Sequence, residues 1–250
     1  MDPKLRILIV DDDQRMTRTL SDIFSMAGHK PVEATSGAQA LELARTQPFD
    51  CVLTDVRMPG MDGVELHRQL RLAQPGLPVM LMTAYASDET IRKGLDEGVV
   101  GVFDKLLDIN QLLGFFASLA RSRSIVIVDD DPNFCQTLGD ILQQRGFNVV
   151  QISDPHAAVE SITSEAQVIL LDMKLNDVSG LDVLKGIRER CPDLPVLLVT
   201  AYRQEMTAAI QVALEIKAYA CLYKPLEIPT LLQMLADFQL QRLRRVMKEK

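Results

Sequence analysis

Short apolar runs recur along the first half of the chain, and each is followed by a polar turn and a longer segment with apolar residues every three or four positions. Short apolar runs that are bounded by turn residues are typical of buried strands, and the longer segments are typical of amphipathic helices. The predicted strands cover residues 5–10, 32–34, 50–54, 78–82 and 99–103. The predicted helices cover residues 14–27, 38–45, 64–72, 87–97 and 109–120. The pattern therefore predicts five strands that alternate with five helices.

The same pattern starts again after a short polar segment, residues 121–124, and continues to the end of the chain. It predicts strands over residues 125–128, 148–151, 167–171, 195–199 and 218–222. It predicts helices over residues 133–145, 155–164, 180–190 and 203–216, and a last helix from residue 228 onward. The repeat indicates two domains, which we assign to residues 1–121 and 122–250, the second with an extended C-terminal helix.

Polar residues stand at the ends of corresponding strands in both halves. An alternation of strands and helices predicts a parallel sheet that is covered by helices on both faces, so all its strands end at one edge. The polar residues at the strand ends of the first half are Asp11, Asp12, Asp55, Thr83 and Lys105. Their counterparts in the second half are Asp129, Asp130, Asp172, Thr200 and Lys224. The two sets differ by 117 to 119 positions, and we expect each half to gather the same five side chains at one sheet edge.

Three carboxylates, one hydroxyl and one ammonium at a single sheet edge favour phosphoryl chemistry. Crowded carboxylates repel one another, and a hard divalent cation such as Mg²⁺ relieves that repulsion through oxygen ligands. With the cation bound, an aspartate can attack a phosphorus atom and form an acyl phosphate, while the hydroxyl and the ammonium contact the transferred oxygens. Each residue alone has an ordinary explanation as a turn former, a helix cap or a solvated side chain. Because all five recur in the same order, the functional interpretation is the stronger one.

Asp13 and Asp131 are the third acids of the runs that follow the first strand of each half. Asp is favoured at the N-cap of a helix, and its negative charge suits the helix N-terminus. We therefore expect these two residues to cap the following helices and do not count them as cation ligands.

Composition and charge exclude several classes of protein. Apolar residues make up 47% of the chain and charged residues 24%, as in globular domains, and no apolar run approaches the roughly 18 residues of a membrane span. The N-terminus lacks the pattern of a signal peptide, so we expect a cytoplasmic protein. A net charge of −7 argues against direct binding to nucleic acid. The cysteines and histidines lack metal-site spacing, and we expect the cysteines to be free thiols.

With these residues in place, each half resembles the receiver domain of bacterial two-component response regulators. The resemblance implies an α/β fold of two doubly wound (βα)5 domains, each with a five-stranded parallel sheet in the order 2-1-3-4-5. It implies that Asp55 and Asp172 are the phosphoacceptors. The implied Mg²⁺ ligands are the carboxylates of Asp11, Asp12, Asp55, Asp129, Asp130 and Asp172 and the carbonyl groups of Arg57 and Lys174. The implied switch and phosphoryl-contacting residues are Thr83, Lys105, Thr200 and Lys224.

The resemblance also implies the partners and the kind of activity. In this family a histidine kinase or a histidine phosphotransfer protein donates the phosphoryl group, and the receiver catalyses only its own phosphorylation and dephosphorylation. A downstream protein effector, or an output domain outside this chain, reads the signal, and a homodimer is a further option. Neither nucleic acid nor a membrane is implied as a direct partner.

The first half departs from the family pattern after its lysine. The family normally has proline there, and the second half keeps Pro225, but the first half has Leu106. This change could move the Lys105 ammonium away from the position that Lys224 occupies. The usual aromatic residue three positions before the lysine is also replaced, by Val102 and by Cys221. The alternative for the first half is therefore a scaffold that takes no phosphoryl group.

An aspartate-nucleophile phosphatase is a competing class. That class places its nucleophile after the first strand in a motif that ends in Thr or Val, and here Arg15 and Asn133 stand at the last position. The second half also lacks the Met-Pro-Gly turn that follows Asp55 in the first, without losing any of the five side chains. A receiver remains the better interpretation of both halves.

The last predicted helix extends well beyond the usual end of a receiver. Its apolar residues include Leu231, Leu232, Leu235, Phe238, Leu243 and Val246. Its end is basic, with Arg242, Arg244, Arg245, Lys248 and Lys250. The sequence leaves three interpretations open: a solvated helix end whose charge suits the helix dipole, a dimer contact, or a linker to an output module outside this chain.

Overall fold

The computed structural model describes residues 4–74, 76–84, 89–106, 108–121, 123–163, 166–202 and 204–248. Ten strands and ten helices alternate along these described residues, in the predicted order. The strands are β1 (Arg6–Val10), β2 (Lys30–Ala34), β3 (Cys51–Asp55), β4 (Val79–Thr83), β5 (Gly101–Asp104), β6 (Ser124–Val128), β7 (Asn148–Ile152), β8 (Val168–Asp172), β9 (Val196–Thr200) and β10 (Ala220–Tyr223). The helices are α1 (Gln14–Met26), α2 (Gly37–Thr46), α3 (Gly63–Ala73), α4 (Glu89–Glu97), α5 (Ile109–Arg121), α6 (Pro132–Gln143), α7 (Pro155–Ser161), α8 (Gly180–Arg190), α9 (Thr207–Glu215) and α10 (Ile228–Lys248).

Contacts between residues divide the chain into two compact units. Unit 1 consists of Met1–Ala120 together with Leu240–Lys250, and unit 2 consists of Arg121–Gln239. Helix α10 therefore begins in unit 2 and ends in unit 1.

Each unit contains one five-stranded sheet in which all paired strands are parallel. The strand order is β2-β1-β3-β4-β5 in unit 1 and β7-β6-β8-β9-β10 in unit 2. Both orders correspond to 2-1-3-4-5 within their own unit, so the predicted doubly wound fold is confirmed. In such sheets ligands bind beyond the carboxyl ends of the strands, at the point where the strand order reverses.

Apolar residues cover both faces of each sheet, which explains why the strands are continuous apolar runs. In β1, Ile7 and Ile9 belong to one core cluster, and Leu8 and Val10 belong to another. In β6, Ile125 and Ile127 likewise lie apart from Val126 and Val128. Successive side chains of a strand point to opposite faces, so each run feeds two cores.

Several helices differ from the prediction at their ends. Helix α7 ends at Ser161, where the pattern predicts residue 164, and α9 begins at Thr207, where it predicts residue 203. No side-chain hydrogen bond caps the start of α9. Among the helices that the structure describes, none combines the length and the apolarity that a membrane span requires.

The end of α10 differs from the predicted domain assignment. Leu231, Leu235 and Phe238 lie in a core cluster of unit 2, whereas Leu243 is fully buried in a core cluster of unit 1. Residues 240–248 therefore pack with the first half of the chain, although the sequence places them in the second domain. The interpretation as a solvated helix end is wrong for Leu243, because an apolar side chain is covered there.

Candidate functional site

The carboxyl ends of β1 and β3 bring three acidic residues of unit 1 together. Asp11 and Asp12 directly follow β1, and Asp55 closes β3, which pairs with β1. One carboxylate oxygen from each of the three lies within 4.8 Å of the others. Asp11 and Asp55 are buried, and Asp12 is exposed, so the cluster is open to solvent on one side.

Lys105 lies at the end of β5 and reaches two of these carboxylates. Its Nζ atom is 2.8 Å from Asp11 Oδ2 and 2.8 Å from Asp55 Oδ2. The expectation that Leu106 moves this ammonium away from the site is wrong. The cis peptide bond of the described residues is Lys224-Pro225, and the side chain of Lys105 is long enough to reach the carboxylates without a proline after it.

Unit 2 builds the same arrangement from its own residues. Carboxylate oxygens of Asp129, Asp130 and Asp172 also lie within 4.8 Å of one another. Lys224 Nζ is 2.7 Å from Asp129 Oδ2 and 2.7 Å from Asp172 Oδ2. Its ammonium also lies 4.1 Å from the centroid of the Phe134 ring, a favourable cation–π contact.

Thr83 and Thr200 close the strands next to Asp55 and Asp172, the predicted acceptors. In β4, Met82 pairs with Asp55, so Thr83 lies one residue beyond the acceptor on the neighbouring strand. In β9, Val199 pairs with Asp172, and Thr200 follows in the same way. Both threonines are buried, and the Thr200 hydroxyl accepts a hydrogen bond of 3.1 Å from the amide of Tyr202.

Glycines at the start of α3 and α8 let these helices begin beside the acceptor strands. A Cβ atom at Gly63 would overlap the carbonyl oxygen of Asp55, and a Cβ atom at Gly180 would overlap that of Asp172. Neither glycine was among the predicted site residues. Their recurrence at the offset of 117 positions that also separates the acceptors could have identified them as parts of the site.

Backbone amides in the loops after the acceptors also contact the carboxylates. The amide of Lys174 donates to Asp172 Oδ1 at 3.0 Å, and the amide of Arg57 donates to the carboxylate of Asp55. The amide of Asn176 donates to Asp130 Oδ2 at 3.1 Å. Arg57 and Lys174 thus stand next to the clusters, as their predicted role requires, and the role of their carbonyl groups stays a prediction.

Asp13 and Asp131 cap the helices that follow the first strand of each unit. The Asp13 carboxylate accepts a hydrogen bond from the amide of Arg15, and the Asp131 carboxylate accepts hydrogen bonds from the amides of Asn133 and Phe134. The amides of Asp13 and Asp131 in turn donate to Asp11 Oδ1 and Asp129 Oδ1, at 2.9 Å and 3.0 Å. The predicted capping role is confirmed, and the caps also orient the carboxylates of the clusters.

Burial and ion pairing set the protonation of the two sites. Burial raises the pKa of Asp55 above its ordinary value, although the hydrogen bond from Lys105 acts in the opposite direction. Burial raises the pKa of Asp129 in the same way, against the hydrogen bond from Lys224. Burial also opposes the charge of the two lysines, but their hydrogen bonds to the carboxylates outweigh it and raise the pKa of each lysine.

The donor set of each cluster fits Mg²⁺. Hard divalent cations of this kind take oxygen ligands and keep several positions for water or phosphate oxygens. Each cluster offers three carboxylates within 4.8 Å and one lysine, so its acids exceed its cations by two charges. Both groups consist of aspartates among the described residues, and an all-carboxylate set suits Mg²⁺ better than a softer metal.

Comparison with known proteins identifies a family over most of the chain. The family model described as the response regulator receiver domain matches residues 7–116 and again residues 125–236. A response regulator receiver protein of Anaeromyxobacter sp. (strain Fw109-5) is 34% identical over 195 residues, which are 78% of this chain and 82% of that protein.

Other relatives match a single receiver length. Sporulation initiation phosphotransferase F of Bacillus subtilis (strain 168) is 33% identical over 107 residues, which are 43% of this chain and 86% of that protein. The transcriptional regulatory protein ZraR of Escherichia coli (strain K12) is 40% identical over 120 residues, which are 48% of this chain but only 27% of ZraR. The similarity to ZraR therefore concerns a minor part of that protein.

Proposed function

This chain belongs to the response regulator receiver family, and on that premise we propose that it is a tandem receiver of a two-component phosphorelay in which Asp55 and Asp172 each accept a phosphoryl group. One observation carries the proposal. In each unit the acceptor lies in a cluster of three carboxylates and also contacts a lysine ammonium, at 2.8 Å in unit 1 and 2.7 Å in unit 2. The acceptor carboxylate thus lies between acids that can bind a cation and an ammonium that can contact a phosphoryl group.

The acceptor aspartate acts as the nucleophile. An oxygen of its carboxylate attacks the phosphorus atom of the donor, a new O–P bond forms, and the bond between phosphorus and the donor's leaving group breaks. The donor is a phosphohistidine of a kinase or a phosphotransfer protein, so the leaving group is an imidazole. The lysine and the threonine hydroxyl then contact the transferred oxygens and stabilise the charge that has moved into the site.

The acidic residues bind the cation in this proposal. Asp11, Asp12 and Asp55 hold Mg²⁺ in unit 1, with the carbonyl group of Arg57. The second set is Asp129, Asp130 and Asp172 with the carbonyl group of Lys174. When bound, Mg²⁺ offsets the repulsion between the carboxylates and the incoming phosphoryl oxygens. The caps Asp13 and Asp131 orient one acid of each set through their amides.

Both units are proposed as acceptors, and a scaffold role for unit 1 is the less favoured alternative. The contacts of Lys105 match those of Lys224 to within 0.1 Å for both carboxylates. The helix caps and the close glycines are also present in both units. These shared features support phosphoryl transfer in both units.

The proposed partners follow from this role. The donor is a histidine kinase or a histidine phosphotransfer protein, and the recipient of the signal is a downstream protein or an output domain. We include a cytoplasmic location in the proposal, because the four cysteines are free thiols and a reducing compartment keeps them so. The only catalysis proposed is the transfer to and from the chain's own aspartates.

The test is phosphorylation with acetyl phosphate and Mg²⁺, followed by measurement of the intact mass. We expect the wild-type chain to gain up to two phosphoryl groups, Asp55→Asn and Asp172→Asn to lose one each, and the double variant to gain none. Removal of Mg²⁺ with EDTA should abolish the gain. A gain that persists in the double variant, or that does not need the cation, contradicts the proposal.

A further inference from the structure

The loop between β8 and α8 is anchored in the core of unit 2. Leu175 is 3% exposed and belongs to a core cluster, against which Val178 also packs. Lys174 and Ser179 form an antiparallel bridge across the base of the loop. These contacts hold the backbone between them, so the amide of Asn176 has a defined position.

The amide of Asn176 contacts one acid of the unit 2 cluster. It donates to Asp130 Oδ2 at 3.1 Å. Asp130 directly follows β6 and is partly buried. A hydrogen bond to an ionised carboxylate is stronger than one between neutral groups, so this contact favours one orientation of the Asp130 carboxylate.

With this contact, each carboxylate of the unit 2 cluster accepts a hydrogen bond from a backbone amide. The amide of Asp131 donates to Asp129 Oδ1 at 3.0 Å. The amide of Lys174 donates to Asp172 Oδ1, also at 3.0 Å. The bond to Asp130 completes the set. The main chain therefore orients all three acids before a cation binds.

Unit 1 cannot make the third of these contacts. The position 117 residues before Asn176, at the offset that separates the two proposed acceptors, is Pro59, which has no N–H group. Asp12, the counterpart of Asp130, is exposed. The other two carboxylates of unit 1 accept backbone amides as their counterparts do. The two sites thus differ in the main-chain donor to the second acid.

A carboxylate that is already oriented binds a cation at a lower entropic cost than a mobile one. An exposed side chain such as Asp12 has to lose rotamer freedom when it becomes a ligand, whereas Asp130 is already restrained. The hydrogen bond occupies one acceptor position of a carboxylate that has about four, so Asp130 keeps lone pairs for the cation. We therefore expect the gain from orientation to outweigh the loss of donor strength.

We propose that the Asn176 amide positions Asp130 as a ligand and gives the unit 2 site a higher affinity for Mg²⁺ than the unit 1 site. The inference rests on the proposed function, because it concerns the same cation. Asn176 acts only through its backbone N–H group, so it is a positioning residue whose side chain is dispensable. Coupling between two binding events is reciprocal, and bound Mg²⁺ in turn stabilises the hydrogen bond.

The first arm of the test measures Mg²⁺ binding to each unit of the full-length chain. The amide signals of Val56 and Met173, which directly follow the proposed acceptors, are recorded by NMR at increasing concentrations of MgCl2 and without a phosphodonor. We expect the dissociation constant of unit 2 to be about fivefold lower than that of unit 1, which corresponds to the ordering of one side chain.

Two substitutions at position 176 separate the effect of the backbone from that of the side chain. Asn176→Pro removes the N–H group, as in unit 1, and should raise the dissociation constant of unit 2 about fivefold without changing that of unit 1. Asn176→Ala is the matched control, because it removes the side chain but keeps the N–H group. It should leave both dissociation constants unchanged.

The second arm needs no substitution, so it decides the question even where proline alters the loop. The exchange of the Asn176 amide with water is measured by NMR in the wild-type chain, without Mg²⁺ and at saturating Mg²⁺. We expect the exchange to become slower when the cation binds, because the cation holds the Asp130 carboxylate in place. Faster exchange would mean that the cation and the amide compete for this carboxylate.

The outcomes separate this inference from the proposed function. If Mg²⁺ shifts the signals of neither unit, the proposed cation site fails and the inference fails with it. If Mg²⁺ binds but the two units have equal affinities, the inference alone is overturned. The same holds if Asn176→Pro leaves the affinity of unit 2 unchanged, if Asn176→Ala weakens binding as much as Asn176→Pro does, or if Mg²⁺ fails to slow the exchange of the Asn176 amide.

Discussion

Lys105 and Lys224 each hold one ammonium against two aspartates, and this contact is the central residue-scale feature of both sites. Each lysine side chain is about one-fifth exposed, and one of the two acids that it contacts, Asp11 or Asp129, is almost fully buried. A buried carboxylate that loses its charged partner is strongly disfavoured. The lysines therefore stabilise the unphosphorylated chain, in addition to their proposed part in the transfer.

Replacement of each lysine by methionine tests its part in the transfer. The side chain keeps its length but loses the charge that stabilises the transferred oxygens, so we expect phosphorylation of the aspartate in the same unit to slow by about a hundredfold. Peptide mass mapping after treatment with acetyl phosphate resolves Asp55 from Asp172. Each variant is the control for the other, and a Lys224→Met chain in which both aspartates or neither slow down contradicts the assignment.

His67 is a buried residue for which the sequence gives no role. Its Nε2 atom lies 3.3 Å from the carbonyl oxygen of Glu97, at the end of α4, where Arg71 also donates to the same carbonyl. Burial lowers the pKa of His67 below its ordinary value, with the positive charges of Arg71 and Arg244 acting in the same direction. The folded chain therefore favours the neutral imidazole.

We expect His67 to make unit 1 less stable in mild acid. Because its folded-state pKa lies below its unfolded value, this contribution to stability is complete above about pH 6.5 and is lost as the pH falls toward the folded-state pKa. The slope cannot exceed about 1.4 kcal/mol per pH unit for a single group. Urea unfolding of wild type and His67→Gln between about pH 7.5 and pH 5.5 measures it. His156→Gln, which changes an exposed histidine, is the control, and equal slopes for wild type and His67→Gln refute the prediction.

The residues that the sequence identified are those with a repeated chemical type at a strand end. Asp55 and Lys105 stand out because a charged residue that ends an apolar run twice is improbable by chance. His67 lies within a helix pattern where a histidine is unremarkable, and its contact with the carbonyl of Glu97 at the end of α4 comes from tertiary packing. Burial of a polar residue inside an amphipathic helix is a tertiary property that the periodicity does not contain.

At the scale of elements, the turn between β8 and α8 fixes the position of Asp172, the proposed nucleophile. Gly180 begins α8 directly against the carbonyl of Asp172, and Ser179 caps the helix by accepting a hydrogen bond from Leu181. The neighbouring atoms are backbone atoms of Asp172 and Met173, which cannot rotate away. A side chain at position 180 therefore has to displace either the helix or the acceptor.

Gly180→Ala should damage the second site and leave the first intact. We expect a loss of about 1–3 kcal/mol in the stability of unit 2, as for other overpacked positions, together with slower phosphorylation of Asp172 but not of Asp55. The matched control is Gly139→Ala in α6, where the new Cβ meets the end of the flexible Gln151 side chain. Peptide mass mapping and thermal unfolding provide the measurements, and a Gly180→Ala chain that behaves like the control would falsify the assigned role.

The elements themselves were predictable where burial on both faces makes a strand a continuous apolar run. The start of α9 was not, because Met206 at its N-cap makes no side-chain hydrogen bond that a sequence motif could indicate. The first residue of a helix without a side-chain cap depends on small energy differences between alternative turns. By contrast, Asp13 and Asp131 cap the N-termini of α1 and α6, and both caps were predicted correctly.

At the scale of the whole molecule, α10 belongs to the cores of two units. Its apolar residues recur from Leu231 to Val246, but the sequence left open a solvated end, a dimer contact and a linker. Periodicity indicates that one face of a helix is buried, but it does not identify the residues that pack against that face. Gly98 and Gly101, which lie against Arg244 and Met247, come more than 130 residues before the end of α10, so no local pattern connects them.

The shared helix leads to the last prediction, which compares two leucines eight residues apart on α10. Leu235 and Leu243 are both fully buried, but the first lies in a core cluster of unit 2 and the second in a core cluster of unit 1. Replacement of either by alanine should cost about 2–5 kcal/mol, because it removes buried methyl groups and leaves a cavity. We expect each loss of stability to be confined to the unit whose core holds the leucine. Leu243→Ala should speed hydrogen exchange in α5, where Leu112, Phe115 and Phe116 share its cluster, and Leu235→Ala should speed it in β6 and β8. If Leu243→Ala instead loosens β6 and β8 and spares α5, residues 240–248 do not belong to the core of unit 1.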